Sequence, residues 1–326
     1  MIQYIVILLD DTSISFCHYA NRKTIQRLMP IQTLKDGILY AMKENLNIQF
    51  VYPKYALPKD YLEAIDSIDH TEIKPFDISE SILTNKKDTT TCEADVVVFN
   101  SLEETYGYQF KSDTVYVLRT DKSGLFNGHD AIVDIFKKVS RLNVVITDIE
   151  DFTEEDFIKY KSLLNRLSKE IEGLYVSGKS PQFNLLTDRM MLDKMNNCGA
   201  GETTITLAPN GNFYVCPAFY LSSEGNDVGN LEHGIDIKNS QLYRLDHAPI
   251  CRKCDAWQCK RCIWLNRQTT LEVNTPSHEQ CVVAHLERNA SRTLLTAIRK
   301  HGTFLPNKKD IKKIDYLDPF DIIRKL

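Results

Sequence analysis

The stretch CRKCDAWQCKRC, residues 251–262, carries four cysteines in a single short segment. They form two pairs, Cys251 with Cys254 and Cys259 with Cys262, and the members of each pair are separated by two residues. A Cys-x-x-Cys turn brings two thiolates together while backbone N–H groups point at the sulfurs, and two such turns can surround iron or zinc. The stretch therefore predicts a metal centre.

Seven of the nine cysteines lie between positions 198 and 281, and the sequence predicts no export signal. It begins with Met1 and runs into a short apolar segment that ends at Asp10 and Asp11, without a basic leader region, a cleavage site or a long apolar span. We therefore expect a cytoplasmic protein with no membrane partner. In a reducing compartment, an odd number of cysteines with Cys-x-x-Cys pairs favours a metal framework over disulfides.

Length and composition set the broad class of the protein. The chain has 326 residues, of which 43% are hydrophobic and 26% charged, so it can bury a large core and is not of a disordered or fibrous type. A formal net charge of -4, with no aromatic-studded basic stripe, gives no reason to expect a nucleic-acid partner. One large domain with a smaller one fits these values.

Short β-branched runs alternate with helical patterns through the first half. This alternation predicts an α/β protein with a parallel sheet that is doubly wound or curled towards a barrel. The predicted strands are 4–9, 48–51, 96–99, 115–118 and 144–147. The predicted helices are one that contains Leu34, Ile38, Ala41 and Met42, and others at 61–68, 131–139 and 157–171, the last after a capping pattern at 153–156.

The pattern changes near Asn196. Residues 203–215 predict a hairpin, because two apolar runs flank a turn that contains Asn210 and Gly211. After Cys281, apolar residues at helical spacing from Val283 to Ile298 predict one amphipathic helix that packs against the cysteine region.

The order of residues in this region resembles the SPASM domain of radical SAM peptide- and protein-modifying enzymes. That family's signature is a cysteine, then a glycine and four residues to a second cysteine, then four clustered cysteines, and a last one after a gap. Here Cys198 is followed by Gly211 and Cys216, by the cluster at 251–262, and by Cys281. The two intervals after the second clustered cysteine are each one residue shorter than is usual in the family.

The resemblance implies up to two auxiliary [4Fe–4S] clusters. It gives Cys251, Cys254, Cys259 and Cys281 to an outer cluster, and Cys198, Cys216 and Cys262 to an inner one. In some relatives the fourth ligand of the inner cluster is a cysteine a few residues before Cys198. This chain has no cysteine there, so the fourth iron of that cluster would keep an open position or accept oxygen from Asp193 or from a substrate. Zinc stays open as an alternative because four thiolates suit it equally, although seven thiolates overfill one zinc site.

The first half departs from the radical SAM pattern. A radical SAM enzyme holds its catalytic cluster with three cysteines in a CxxxCxxC loop after the first strand, and here only Cys17 lies in that loop. The segment Tyr52-Pro53-Lys54-Tyr55 stands where the family has a Gly-Gly-Glu turn. Segments 8–19 and 40–52 resemble the CXXX-repeat peptide maturase family.

Together these resemblances imply a partial (β/α) barrel of radical SAM type. They imply a degenerate radical SAM-like domain at 1–190, a SPASM domain at 191–282, and a C-terminal helix and tail at 283–326. The implied role lies in maturation of a ribosomally made precursor peptide with repeated cysteines, by docking the peptide or relaying electrons for a partner radical SAM enzyme. Two alternatives stay open: a zinc-binding peptide adaptor, and an active radical SAM enzyme with unconventional ligands. No catalytic residue is assigned.

Several other polar residues have a structural interpretation that we prefer to a functional one. Cys17 and Cys92 are interpreted as structural or free thiols, and the acidic segment 148–156 as a solvated helix start. Asp10 and Asp11 fit either a substrate contact or a strand cap. His233, His247 and His278 are weak candidates for metal ligands. Trp257 and Trp264 are expected to shield a metal from water.

Overall fold

The computed structural model describes residues 1–78, 93–222 and 226–311, so Cys92 and the end of the tail lie outside the described residues. Eleven strands are described: β1 Tyr4–Leu8, β2 Asn47–Val51, β3 His70–Pro75, β4 Val96–Phe99, β5 Val115–Thr120, β6 Arg141–Ile146, β7 Gln182–Phe183, β8 Thr204–Leu207, β9 Phe213–Tyr214, β10 Gly229–Asn230 and β11 Gly234–Ile235. The α-helices are α1 Ile31–Lys43, α2 Lys59–Asp66, α3 Lys122–Asn127, α4 His129–Phe136, α5 Glu154–Val176, α6 Asp188–Met191, α7 Pro217–Ser222, α8 Ile263–Thr270 and α9 His278–Arg299.

The chain folds into two compact units, each built from separate segments. Unit 1 comprises Met1–Phe99, Glu104–Gln109 and Cys198–Ala248. Unit 2 comprises Asn100–Glu103, Phe110–Asn197 and Pro249–Leu326. The domain boundaries at 190 and 282 inferred from the sequence stay a prediction.

Unit 1 contains a mainly parallel sheet in the order β4-β3-β2-β1-β8-β9, in which only β9 is antiparallel to its neighbour. Strand β1 lies inside the sheet, and its residues from Ile5 to Leu8 are buried. A continuous apolar run of this kind is typical of a parallel strand covered on both faces. The predicted hairpin is confirmed, and its first strand, β8, pairs in parallel with β1.

Helix α1 packs closely on this sheet. Its buried residues Leu34, Gly37, Ile38 and Ala41 recur at helical spacing. A β-carbon placed on Gly37 would come within 2.5 Å of Leu207 Cδ2, so a larger residue here requires a shift of that side chain. Residues of α1, β1 and β8 therefore share one hydrophobic core.

Unit 2 combines the parallel strands β5-β6-β7 with two long helices, α5 and α9, that pack on each other. The predicted cap of α5 is confirmed: the Thr153 side chain accepts from the Asp156 N–H, while the Asp156 carboxylate accepts from the Thr153 N–H. On α9, the Ser291 hydroxyl donates a hydrogen bond to the Leu186 carbonyl at 2.6 Å.

The α/β class with a parallel sheet is confirmed. The elements that the sequence pattern did not predict are strands β3, β7, β10 and β11 and helices α3, α6, α7 and α8. Among the described residues no helix is long and apolar enough to cross a membrane.

Candidate metal centre

The loop at 251–259 holds its cysteines in tight turns. The Cys254 N–H donates to the Cys251 carbonyl at 3.0 Å, and the Cys259 N–H donates to the Ala256 carbonyl at 3.0 Å. Two further N–H groups point at sulfur: that of Ala256 lies 3.4 Å from Cys254 Sγ, and that of Arg261 lies 3.4 Å from Cys259 Sγ. This geometry presents two sulfurs as acceptors, as a thiolate ligand requires.

Three thiols of the loop are close enough to influence one another. Burial, with a smaller contribution from the charge of Cys254, raises the pKa of Cys251 to about 11 and that of Cys259 to about 12. Burial also raises the pKa of Cys254, which its bond from the Ala256 N–H opposes. The metal-free loop therefore holds neutral thiols at neutral pH, and a bound metal has to displace their protons.

Two arginines from outside the loop lie beside Asp255, the residue after Cys254. Arg189 of α6 and Arg288 of α9 are 6% and 2% exposed, and both approach the carboxylate of Asp255. The Arg189 guanidinium also lies 3.9 Å above the Trp257 ring. The sequence analysis did not identify this group, because its members come from three separate segments.

Helix α9 carries the last predicted ligand. Cys281 lies in its first turn, and His285 follows one turn later, so both occupy one face of the helix. His285 Nε2 lies 3.5 Å from Cys254 Sγ. His285 was not predicted as a site residue, although it lies on the predicted helix four residues after Cys281, a spacing that could have indicated it.

Beside the same loop, α9 carries a buried carboxyl group. Glu287 accepts a hydrogen bond from the Tyr160 hydroxyl at 2.7 Å and one from Gln258 Nε2 at 3.2 Å. Gln258 lies between Cys254 and Cys259, and its Nε2 also donates to the Ala284 carbonyl at 2.7 Å. Burial raises the pKa of Glu287 to about 7.

The predicted site residues fall into two groups. Cys251, Cys254 and Cys259 lie together in unit 2, which also contains Cys281 on α9 and Cys262 at the start of α8. Cys198 and Cys216 belong to unit 1. No disulfide bond joins the cysteines of the described residues, and within those residues no group of three or more His, Cys, Asp or Glu side chains is arranged to hold a metal ion. The two ligand sets stay predictions.

The weaker candidates have other contacts. The Asp193 carboxylate is 2.6 Å from Lys308 Nζ, and its side chain is largely exposed. His233 and His247 are on the surface beside Glu232 and Asp246. The rings of His278 and Phe157 pack in a T-shaped arrangement, with centroids 6.0 Å apart.

In unit 1, the end of strand β1 is filled by a polar network. Asp10 is fully buried, and its carboxylate accepts from the Tyr55 hydroxyl at 2.8 Å and the Thr12 N–H at 2.7 Å. Asp11 is 6% exposed and pairs with Arg27 Nε at 2.9 Å. The Tyr220 hydroxyl of α7 donates to the Asp11 carboxylate.

This network does not fit a catalytic iron–sulfur cluster. The segment between β1 and α1 offers one thiol, half-buried Cys17, whereas a site-differentiated cluster requires three. The carboxylates of Asp10 and Asp11 are already engaged by tyrosines and Arg27. Both carboxylates therefore tie the loop after β1 to its surroundings, as the strand-cap interpretation expects.

No protein-family model and no curated protein matches this sequence. Among solved structures, the fold is similar to that of anSMEcpe with bound AdoMet: the TM-score is 0.59 at 12% identity, and the match covers 91% of this chain and 96% of the other. anSMEcpe with bound AdoMet and Cp18Cys peptide matches with a TM-score of 0.57 at 11% identity, covering 92% of this chain and 100% of the other. At this identity the likeness shows the fold alone, and it confirms the predicted partial barrel of radical SAM type.

Proposed function

We propose that this chain is an accessory protein in the maturation of a ribosomally made peptide with repeated cysteines, and that it acts beside a complete radical SAM enzyme. The observation that carries the proposal is the filled end of β1. In the radical SAM family that the sequence resembles, the loop after the first strand supplies three thiols. Here that loop supplies one, Cys17, and its Asp10 and Asp11 accept hydrogen bonds from tyrosine hydroxyls. The chain then contributes through its cysteine region and not through radical generation.

The cysteine region would hold [4Fe–4S] clusters. The outer set would be Cys251, Cys254, Cys259 and Cys281, and the inner set Cys198, Cys216 and Cys262. A cluster supplies a one-electron relay when it is bound. The N–H groups directed at Cys254 and Cys259 support thiolate ligation there, because such bonds stabilise charge on sulfur.

Metal content after anaerobic reconstitution with iron and sulfide tests this part of the proposal. We expect a brown protein with about seven to eight irons per chain if both clusters form. Cys254→Ser should remove about half of the iron, whereas Cys17→Ser, which changes a thiol of unit 1 outside both sets, should leave the iron content unchanged. Iron that is equally low in all three proteins would contradict a cluster at Cys254.

A zinc-binding adaptor is the second candidate, because N–H groups directed at sulfur suit zinc as well as iron. Colourless protein with stoichiometric zinc from an anaerobic preparation would select it. Both candidates share the peptide-docking role.

Lack of S-adenosylmethionine cleavage is a separate expectation. After chemical reduction, the reconstituted chain should give no 5′-deoxyadenosine above a protein-free control, because the β1 end offers one thiol. Product formation in a multiple-turnover assay would select the active-enzyme alternative. Iron content measured on the same sample separates an inactive holoprotein from one that lacks its clusters.

Peptide docking is the remaining part of the proposal. Because anSMEcpe has been solved with a Cp18Cys peptide, we expect this chain to bind a peptide as well. Fluorescence anisotropy of a labelled synthetic peptide with cysteine at every fourth position should report saturable binding. The same peptide with serine in place of cysteine tests whether the thiols are recognised, and no saturation with either peptide would exclude docking by this chain alone.

A further inference from the structure

The loop between β1 and α1 carries a short basic segment, residues 22–27. Its sequence, RKTIQR, contains three cations and no acidic residue. Arg22 is exposed, as is 56% of the Arg27 side chain, whereas 23% of the Lys23 side chain is exposed. Ile25, the one large apolar residue of the basic segment, is 78% exposed. The segment therefore presents positive charge and an apolar side chain together.

The backbone of this loop is fixed by hydrogen bonds at its ends and in its interior. The Asp11 N–H donates to the Arg27 carbonyl at 3.2 Å. Asn21 Nδ2 donates to the carbonyls of Asp11 and Ser13, in both cases at 2.8 Å. Because the loop is already ordered, it loses little conformational entropy when a partner binds to it.

Two of the three cations are also fixed by side-chain contacts. Arg27 Nε lies 2.9 Å from Asp11 Oδ2, and Arg27 Nη2 donates to the Tyr220 hydroxyl at 3.1 Å. Lys23 Nζ lies 3.9 Å from Asp11 Oδ1 and 3.6 Å from the centre of the Tyr220 ring. Asp11 thus holds two side chains of the same charge, and it balances the charge of only one of them.

The carboxylates at the end of β1 do not neutralise the basic segment. Asp10 is fully buried and accepts from the Tyr55 hydroxyl and the Thr12 N–H, so that three cations stand against the two carboxylates of Asp10 and Asp11. A chain with a net charge of -4 therefore carries a positive surface here. In open α/β folds, the carboxyl ends of parallel strands are the edge at which ligands bind, and the loop begins at that end of β1.

We propose that the basic segment docks an acidic stretch of a peptide. The exposed guanidinium groups of Arg22 and Arg27 pair with carboxylates of that peptide, because a guanidinium can donate two parallel hydrogen bonds to one carboxylate. Ile25 packs on an apolar side chain of the same peptide. The inference deepens the proposed function and rests on it, since the peptide is the precursor that the chain is proposed to dock.

An anionic lipid surface is the other partner that attracts basic residues beside an apolar one. Binding to a lipid surface grows with the apolar area that enters the bilayer, and the basic segment offers one large apolar side chain, Ile25. Paired guanidinium groups on an ordered loop suit the fixed carboxylates of a peptide better than a fluid surface. The observations therefore favour the peptide.

The test is fluorescence anisotropy of the full chain with two labelled synthetic peptides, in the presence of a reductant. Both peptides have cysteine at every fourth position; one has glutamate after each cysteine, and the other has lysine there. At about 0.05 M salt we expect the wild type to bind the glutamate peptide about tenfold more tightly than the lysine peptide, and at about 0.5 M salt we expect this preference to be largely lost.

Reversal of a single exposed charge gives the sharpest comparison. Arg22→Glu should weaken binding of the glutamate peptide by about tenfold and strengthen binding of the lysine peptide, whereas Arg22→Lys should keep most of the wild-type preference. Lys43→Glu is the matched control because it gives the same net charge. Lys43 is an exposed residue of the last turn of α1, which leads back to the start of β2 and so lies at the opposite end of the strands. It should leave both affinities unchanged.

The outcomes separate this inference from the proposed function. No saturable binding of either peptide to the wild type would contradict peptide docking and the inference with it. Binding without a preference for glutamate, or equal effects of Arg22→Glu and Lys43→Glu, would overturn the inference alone and place the docked peptide elsewhere on the chain. Co-sedimentation with phosphatidylglycerol vesicles that Arg22→Glu abolishes, with peptide affinity unchanged, would make the basic segment a lipid contact instead.

Discussion

At the scale of single residues, Glu287 is the group whose environment most changes its chemistry. It is 8% exposed and receives hydrogen bonds from Tyr160 and Gln258 that favour its charged form, yet burial dominates and raises its pKa to about 7. The folded state therefore keeps a proton that the unfolded chain loses near pH 4.5. This sets the sign of its contribution to the pH dependence of stability.

We expect Glu287→Gln to remove a pH-dependent loss of stability. In the metal-free wild type, this group lowers the free energy of unfolding as pH rises from about 4.5 to about 7, by up to about 3 kcal/mol. Glutamine keeps an acceptor for the Tyr160 hydroxyl and does not titrate, so the difference between variant and wild type should grow through that window and then level off. Urea unfolding followed by tryptophan fluorescence reports unit 2, which contains both Trp257 and Trp264.

Gln258→Ala is a useful companion variant because it removes one hydrogen bond to Glu287 and leaves the carboxyl group buried. It should keep the pH-dependent loss of stability. A difference between Glu287→Gln and the wild type that is constant from pH 4.5 to pH 8 would show that Glu287 does not titrate in this range.

The metal candidates show what sequence can specify at this scale. Cys251, Cys254 and Cys259 were identifiable because a Cys-x-x-Cys turn is local, and its geometry is set by a few neighbouring residues. Arg189 and Arg288 were not identifiable, because an arginine in a helix pattern indicates a surface face unless its tertiary neighbours are known. Asp193 was a ligand candidate because it lies close to Cys198 in the sequence. In the structure its carboxylate contacts Lys308.

At the scale of elements, α5 depends on its first turn. The capping box at Thr153 and Asp156 satisfies N–H groups that have no partner inside a helix, and Lys122 Nζ adds an ion pair to Asp156 at 2.9 Å. Hydrogen bonding from Lys122 and Thr153 lowers the pKa of Asp156 to about 2. The carboxylate thus stays ionised down to strongly acidic pH.

Thr153→Ala should lower the free energy of unfolding of unit 2 by about 1 kcal/mol, because the helix loses its N-cap acceptor. Thr293→Ala is the matched control: its hydroxyl is exposed on α9 and, among the described residues, bonds to the Asn289 carbonyl one turn earlier, so the loss should be small. Urea denaturation of both variants by tryptophan fluorescence gives the comparison. Equal losses of unfolding free energy in the two variants would show that the N-cap hydrogen bond contributes nothing beyond the general effect of replacing a helical threonine by alanine.

Helix α9 offers two donors one turn apart, Cys281 and His285. Because the sequence resemblance gives Cys281 to the outer centre, Cys281→Ser should remove tight binding of Co²⁺, measured by thiolate-to-cobalt charge-transfer absorption in an anaerobic titration. His285→Gln should keep the stoichiometry and lower the affinity by about tenfold, since it changes the contact to Cys254 and leaves the thiols in place. The reverse order of effects would make His285 the ligand.

Elements with a strong apolar pattern were predictable, and those that depend on tertiary contacts were not. Strand β1 is a continuous apolar run, and helix α1 has a regular buried stripe. Strand β3, with the sequence HTEIKP, has only two buried residues, and it forms because β2 and β4 pair on either side. Its local propensity alone gives no strand signal.

At the scale of the whole molecule, the chain order and the spatial order differ. Strand β8 comes from the cysteine region, yet it pairs with β1 from Tyr4 to Ile7. Leu207 and Ile205 are fully buried in the core that also contains Ile5 and Ile7. Because a hairpin signal says nothing about which distant strand it joins, the sequence analysis left this pairing undetermined.

The pairing predicts that residues 1–190 do not fold by themselves. Without β8, strand β1 becomes an edge strand with exposed backbone groups, and the side chains that pack against β8 lose burial. The isolated 1–190 fragment should bind 8-anilinonaphthalene-1-sulfonate and show no cooperative thermal transition, whereas mixing it with a 191–326 fragment should restore near-ultraviolet circular dichroism. A cooperative transition in 1–190 alone would instead support the domain boundary inferred from the sequence.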